Sequence, residues 1–142
     1  MELPSEMGIG VDCEDLDRWR SMLDELNNGP AVGMFHAEEH EYCRSFADPA
    51  PHYAGRWCAK EAVVKALAAH RLLSTREIKI LNDALGRPYA LVPDKLPPVT
   101  IKVSISHSQS TAVAFAVAYI GAPLAANEEQ KVVAGAGVES IG

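Results

Sequence analysis

The sequence predicts an α+β fold in which an antiparallel sheet packs against one long central helix. Three observations lead there. Tyr53 to His70 is rich in alanine, free of proline and apolar at Trp57, Val64 and Leu67, which is helical composition at helical spacing. The segments after it, Glu77–Leu81, Pro88–Val92, Val99–Ile105 and Thr111–Ile120, have strand character and are joined by short loops. Short loops pair neighbouring strands antiparallel and leave no room for the crossover helices of a parallel sheet.

The elements follow in order. Met7–Val11 is short, apolar and punctuated by glycine, and reads as a strand that delivers Asp12 at its end. From Glu14 to Leu26 the apolar residues Leu16, Trp19, Leu23 and Leu26 recur at helical spacing. Acidic residues crowd the first turn of this helix, where the dipole favours them, and Asn27-Asn28-Gly29-Pro30 stops it. His36 to Phe46 is a second, short helix, and Asp48–Pro51 is a loop before the long one. In Glu77–Leu81, Ile78 and Ile80 share a face; Asn82-Asp83-Ala84-Leu85-Gly86 turns the chain, and Pro88–Val92 returns. Pro93–Pro98 is a linker. Val99, Ile101, Val103 and Ile105 alternate strictly with polar residues, so they face one way. Ser106–Ser110 is a polar turn, and Thr111–Ile120 is so uniformly apolar that burial on both faces is expected. Residues 122–142 are Ala, Gly, Val and Glu without a period and are expected to form a flexible tail behind a single domain at 1–121.

The 142 residues carry a net charge of −6. Between Arg56 and Lys102, however, nine Lys/Arg stand against four Asp/Glu. An acidic chain with a basic middle can hold an anionic ligand locally. The cations are dispersed rather than run together, which argues against a nucleic-acid partner. The apolar run Ala112–Ile120 falls far short of the roughly 20 residues of a membrane-spanning helix. The acidic start, with Glu2 and Glu6, lacks the pattern of a secretory signal. Three cysteines, Cys13, Cys43 and Cys58, have no paired spacing and fit reduced thiols, so a cytoplasmic protein is expected.

Four constellations could carry chemistry. Asp12 and Glu14 are two apart on an extended segment and so point to the same side, with Gly8 and Gly10 letting the backbone approach something closely. Hard cations such as Mg²⁺ take one or two carboxylates together with phosphate and water; a strand running into an acidic helix start explains the same residues. Arg56, Lys60, Glu61 and Lys65 mark the long helix with charge: either a surface ion pair at i,i+4 or a metal carboxylate beside phosphate-binding cations. His107, among Ser104, Ser106 and Ser108 at a strand end, could meet a phosphate or be merely structural. His36-Ala37-Glu38-Glu39-His40 has the residue order of inverted zinc peptidases, against a plain acidic helix.

Taken together, Gly10-Val11-Asp12, Trp57-Cys58-Ala59-Lys60-Glu61-Ala62-Val63-Val64-Lys65 and Ser104-Ile105-Ser106-His107 resemble the phosphopantetheinyl transferase superfamily. Its pattern is a G-[IV]-D start, a [WF]-x-x-K-E-[AS]-x-x-K helix and an S-x-S-H strand end. Single-copy length, the segment Met34–Tyr42 and the element Gly86-Arg87-Pro88 resemble its short holo-(acyl-carrier-protein) synthase branch. The resemblance implies a Mg²⁺-dependent enzyme that moves 4′-phosphopantetheine from coenzyme A to a serine of an apo acyl carrier protein, in fatty-acid or polyketide synthesis. It implies a homotrimer with active sites between protomers.

By position, the resemblance makes Asp12 and Glu61 metal ligands, with Glu14 or Asp15 in support. Lys65 stands by the pyrophosphate. Arg56, Lys60, Arg87 and His107 are coenzyme A contacts, His107 from the neighbouring protomer. Arg18, Arg20 and Met22 meet the carrier protein. Where the short branch has a glycine-containing F-G-T-G loop, this chain has Leu67-Ala68-Ala69-His70-Arg71, so that loop is not carried over. The competing readings are a non-catalytic coenzyme A or carrier-protein binding module and a zinc hydrolase at His36 and His40.

Overall fold

The computed structural model describes residues 6–93 and 97–121. The elements run β1 (Glu6–Asp15), α1 (Leu16–Ser21), α2 (Leu23–Asn28), a 3₁₀ turn (Pro30–Met34), α3 (Ala37–Arg44), α4 (Ala50–Leu67), a 3₁₀ turn (Thr75–Glu77), β2 (Lys79–Asn82), β3 (Pro88–Leu91), β4 (Val99–His107) and β5 (Thr111–Ile120). The fold is α+β, as the sequence predicts. The tail expected at 122–142 lies outside the described residues, as do positions 94–96 of the linker.

The main sheet has the order β1-β5-β4, all antiparallel, and β2-β3 is a separate hairpin. Its turn is held by Asp83, which accepts from the backbone N–H groups of Leu85 and Arg87, both at 2.9 Å. Gly86 supplies the positive φ of 83° that the turn requires.

α4 lies across the sheet and is buried on most of its circumference. β1 passes so close to it that a side chain on either glycine would force strand and helix apart. A Cβ on Gly8 would sit 1.7 Å from the carbonyl oxygen of Ala66, and one on Gly10 would sit 1.9 Å from that of Ala62. Alanine on the helix and glycine on the strand are thus two halves of one close approach. A cluster of aromatic rings closes the far side of α4, with Phe35 edge-on to Tyr53 at 5.0 Å and to Trp19 at 6.0 Å.

Three expectations change. The strand at Met7–Val11 continues through Asp15, because Cys13 to Asp15 keep pairing with Val113 to Thr111 on β5. Asp12 is therefore inside a strand, not at its end. The helix expected over 14–26 is two short helices broken at Met22. β5 is not buried on both faces: Ala112, Ala114, Ala116, Ala118 and Ile120 are buried against α4, while Val113 and Phe115 are exposed. The opposite face of β5 joins Met7, Ile9 and Val11 of β1 in one apolar surface, with Ile9 63% and Phe115 44% exposed. Burial on two faces would read the same in sequence whether the second cover is this chain or another.

Candidate functional site

Alternation along β1 decides which side chains meet α4. Gly8, Gly10, Asp12 and Glu14 are on the helix side; Met7, Ile9, Val11 and Cys13 are on the other. On α4, Cys58, Glu61 and Lys65 face the same strand. The Lys65 ammonium donates to the Val11 carbonyl at 2.9 Å and to the Asp12 carboxylate (Oδ1) at 3.4 Å. Glu61 is half-buried beside them. Burial first, and then the Asp12 charge, push its carboxyl above the ordinary carboxylate range, against Lys65, with Glu14 adding to the rise. Cys58 is buried, with its Sγ 3.6 Å from the Ala112 carbonyl. Burial and the charges of Asp12 and Glu14 push its thiol up to about 12. It is inert as a nucleophile at neutral pH.

Glu14 and Asp15 stand on opposite faces of β1. Asp15 caps α1, its carboxylate accepting from the Asp17 N–H at 3.1 Å. Glu14 shares the face of Asp12 and takes an ion pair from Arg18 at 3.6 Å.

Asp12 and Glu61 suit a hard divalent cation, since the Asp12 charge disfavours the Glu61 carboxylate and both side chains offer carboxylate oxygens. Among the described residues, no group of three or more His, Cys, Asp or Glu could hold a metal on protein ligands alone. Two carboxylates with water and substrate phosphate completing the shell is the Mg²⁺ manner of binding.

Nine residues before Glu61 on α4, or roughly 13 Å along the helix axis, a second cluster forms. His107 ends β4 and touches His52 of α4, ring centroids 5.9 Å apart. His52 stacks on Phe46 at 3.5 Å and 15°. Tyr42 lies edge-on to both rings and carries the Arg56 guanidinium 3.6 Å above its centroid. Arg56 also donates to the Asn82 side chain, while its Nε is buried without a partner. His107 and Arg56 thus join one cluster around His52 and Tyr42, while Lys65 and Asp12 meet in another beside Glu61.

Lys60 corrects the expectation of a charged stripe. Its side chain is 0% exposed, its ammonium 2.7 Å from an equally buried Glu39 carboxylate, and it also donates to the Met34 carbonyl at 3.3 Å. Lys60 ties α4 to α3 inside the core rather than facing a ligand. The same Glu39 accepts from the Ile80 N–H at 3.0 Å, which binds the hairpin to both helices.

Arg87 pairs with Asp83 at 2.8 Å and stays 60% exposed. With Tyr89, Lys102 and Ser104 it lines a groove of about 460 Å³ between β3 and β4. Arg18 is exposed on α1, Arg20 is held by Asp17 at 3.3 Å and Asp48 at 3.2 Å, and Met22 is half-buried at the break between α1 and α2.

The zinc reading fails on geometry. His40 is buried with both ring nitrogens engaged, Nδ1 with the Tyr53 hydroxyl at 2.7 Å and Nε2 with the Val32 carbonyl at 2.8 Å. His36 starts α3, its N–H donating to Glu39 at 2.8 Å.

Sequence reasoning missed Glu39, Tyr42, His52 and Asn82. His52 alone had a local signal, since it stands four before Arg56 on one helix face; the others act across elements distant in sequence.

Residues 8–118 match the family described as the 4′-phosphopantetheinyl transferase superfamily. The chain is similar to the holo-[acyl-carrier-protein] synthase of Nocardia farcinica, 36% identical over 124 residues covering 78% of this chain and 86% of that one. It is similar to that of Protochlamydia amoebophila, 37% identical over 117 residues, covering 78% and 96%. Among solved structures it resembles the acyl carrier protein synthase of Mycobacterium tuberculosis, with 32% identity, a TM-score of 0.62 and coverage of 82% and 97%. It also resembles a holo-(acyl-carrier-protein) synthase of Bacillus anthracis in complex with coenzyme A (3′,5′-ADP), with 27% identity, a TM-score of 0.67 and coverage of 82% and 100%.

Proposed function

The chain belongs to the 4′-phosphopantetheinyl transferase superfamily, and from that premise we propose how its residues share the work of transfer. The enzyme is a holo-(acyl-carrier-protein) synthase, taking coenzyme A as co-substrate and an acyl carrier protein as acceptor. The observation that carries the site assignment is the convergence of Asp12, Glu61 and Lys65 where β1 crosses α4.

The acceptor serine attacks the phosphorus that bears the pantetheine arm, and the bond to the bridging oxygen of the pyrophosphate breaks. The hydroxyl proton leaves, and 3′,5′-ADP departs with the bridging oxygen. Such transfer needs positioning and charge neutralisation more than covalent help. Mg²⁺, when bound, supplies much of that neutralisation. Asp12 and Glu61 hold it from opposite elements. Lys65, anchored on the Val11 carbonyl, adds a fixed cation toward the departing phosphate. Glu14, on the face of Asp12, is placed to support the metal or receive the serine proton.

A homotrimer is favoured by two features. The outer face of β1 and β5 leaves Met7, Ile9, Val11 and Phe115 in water, a contiguous apolar surface of the sort that marks an interface. His107 touches His52, nine residues before Glu61 on α4 or roughly 13 Å along its axis, and the arrangement in which one protomer offers His107 and its neighbour offers Asp12, Glu61 and Lys65 completes a site. Arg18, Arg20 and Met22 offer a basic and apolar edge to the acidic carrier. The groove by Arg87 is a further coenzyme A contact. Among the described residues no helix is long and apolar enough to cross a membrane, and the cytoplasm fits the three free thiols. Residues 122–142 are proposed to lie outside the transferase domain.

Intact-mass spectrometry of apo carrier proteins incubated with this protein, coenzyme A and Mg²⁺ tests the reading. One phosphopantetheine arm added, and none in EDTA, is the expected result. Transfer undiminished by EDTA would overturn the metal assignment, and no transfer to any carrier would overturn the function.

A further inference from the structure

The core holds an ion pair that the assignment above leaves unused. Lys60 and Glu39 are both fully buried, with 2.7 Å between the ammonium and Oε1 of the carboxylate. Oε1 also accepts the His36 N–H at 2.8 Å, and Oε2 accepts the Ile80 N–H at 3.0 Å. Lys60 donates in addition to the Met34 carbonyl at 3.3 Å. Directional bonds thus tie α4 to the first 3₁₀ turn, to α3 and to β2 at one point. Stability alone is a poor reason for such a pair, since apolar residues of similar volume often serve as well. What the pair supplies and apolar packing does not is direction.

Lys60 stands next to Glu61 in the chain. A metal carboxylate is commonly steadied by hydrogen bonds of its own. Among the described residues no hydrogen bond or ion pair reaches the Glu61 carboxylate. Where it stands therefore follows from the rotation of α4 about its axis. The other ion pair of α4 among the described residues, Lys65 with Asp12, is 53% exposed at the lysine and can follow the helix as it turns. Side-chain tips lie roughly 5–6 Å from a helix axis, so a rotation of about 10° carries the Glu61 carboxylate about 1 Å. A displacement of that size lowers turnover about 100-fold.

We propose that Glu39 and Lys60 are positioning residues of the reaction: their buried pair sets the rotation of α4 and so holds the Glu61 carboxylate where the divalent cation binds. The inference rests on the transferase reading and on Asp12 and Glu61 as the metal carboxylates. Lys60 and Glu39 act through Glu61 and touch no substrate. Without the pair, α4 keeps its apolar packing but samples a range of rotations. Glu61 then meets the cation in only a fraction of them, and the apparent metal affinity falls by that fraction.

The test compares the full chain with Lys60→Met/Glu39→Gln, which removes both charges, keeps the bulk and leaves an acceptor for the Ile80 N–H. Mn²⁺ binding in the presence of coenzyme A is followed by electron paramagnetic resonance, with Tm, coenzyme A affinity in EDTA, and KM and kcat for transfer. The expected result is a Mn²⁺ dissociation constant about tenfold higher, or about 1.4 kcal/mol, with kcat lowered at least as much. Tm recovers most of what Lys60→Met alone loses, and coenzyme A affinity in EDTA and KM for the carrier hold. With Glu61→Gln already in place, the same double substitution should weaken Mn²⁺ no further. Equal weakening with and without Glu61 would show a structural role only and overturn the proposal, as would a Mn²⁺ affinity that the double substitution leaves unchanged. If the double variant does not fold, Glu39→Asp decides: it keeps both charges but shortens one arm by a methylene, and an unchanged Mn²⁺ affinity there would overturn the proposal. A protein that transfers normally and loses Mn²⁺ affinity with Glu61→Gln, but not with changes at 39 and 60, would overturn this inference alone. A wild-type protein that binds neither Mn²⁺ nor coenzyme A would overturn it together with the function.

Discussion

Gly10→Ala is the sharpest probe of how this site is built. Its added carbon would stand 1.9 Å from the Ala62 carbonyl oxygen and 2.9 Å from the Lys65 Cβ. An ordinary carbon–oxygen contact is about 3.3 Å or longer, so the strand must move off the helix by roughly 1.4 Å. The obstructing atom is main chain, so no substitution at Ala62 can yield. Overpacking of this kind destabilises by about 1–3 kcal/mol, and the upper end applies because neither side can rotate away. For a chain of this size that is a fall in Tm of roughly 10 °C. Asp12 is two residues along the displaced strand, and a misplacement near 1 Å lowers turnover about 100-fold. Gly33→Ala is the control: its nearest neighbour would be the Arg76 guanidinium at 4.0 Å, so Tm and turnover should hold. Thermal unfolding followed by circular dichroism, with transfer to an apo carrier as the activity, reads both. If Gly10→Ala matched Gly33→Ala in Tm and rate, close approach of β1 to α4 would not be what positions Asp12.

Glu61→Gln should keep or slightly raise Tm, because burial and the Asp12 charge already disfavour the carboxylate, yet lower kcat by about 100-fold or more; near-normal turnover in Mg²⁺ would remove Glu61 from the site. Lys60→Met leaves Glu39 buried without its cation and should lower stability by about 3–5 kcal/mol. Adding Glu39→Gln should recover more than half of that in urea unfolding, and failure to recover would mean that Lys60 acts other than through Glu39. Phe115→Glu sets a charge in the exposed apolar face. Light scattering should find the mass of one chain instead of three, with transfer lost, whereas an unchanged mass would place the interface elsewhere.

The parts of the fold legible in sequence were those decided locally. The long helix announced itself through alanine and the absence of proline, and β4 through strict alternation. Ile78 and Ile80 are both fully buried, as their spacing implies. Asp12 and Glu14 share a face because strand geometry leaves no alternative. The charged residues of α4 were less legible. Arg56 and Lys60 form one i,i+4 pair and Glu61 and Lys65 another, about 140° apart round the helix, and only the partners decide which pair goes inside. Those partners, Glu39 for Lys60 and Asn82 for Arg56, come from elements distant along the chain. β5 was misjudged for a related reason. Its composition records that both faces avoid water, without recording whose atoms cover the second.

β1 gives alternate residues to two unrelated tasks, and this constrains how the protein can vary. Gly8, Gly10, Asp12 and Glu14 answer to α4 and the chemistry. Met7, Ile9 and Val11 answer to whatever covers the outer face. The backbone between them is shared, so a change of bulk on one side tilts the other by a fraction of an ångström. Substitutions at neighbouring positions should then combine non-additively: a larger residue at 9 tolerated in one background is harmful in another. Lineages that drift here should change in adjacent pairs, and a graft of the outer face from a relative should succeed only when the whole strand travels with it.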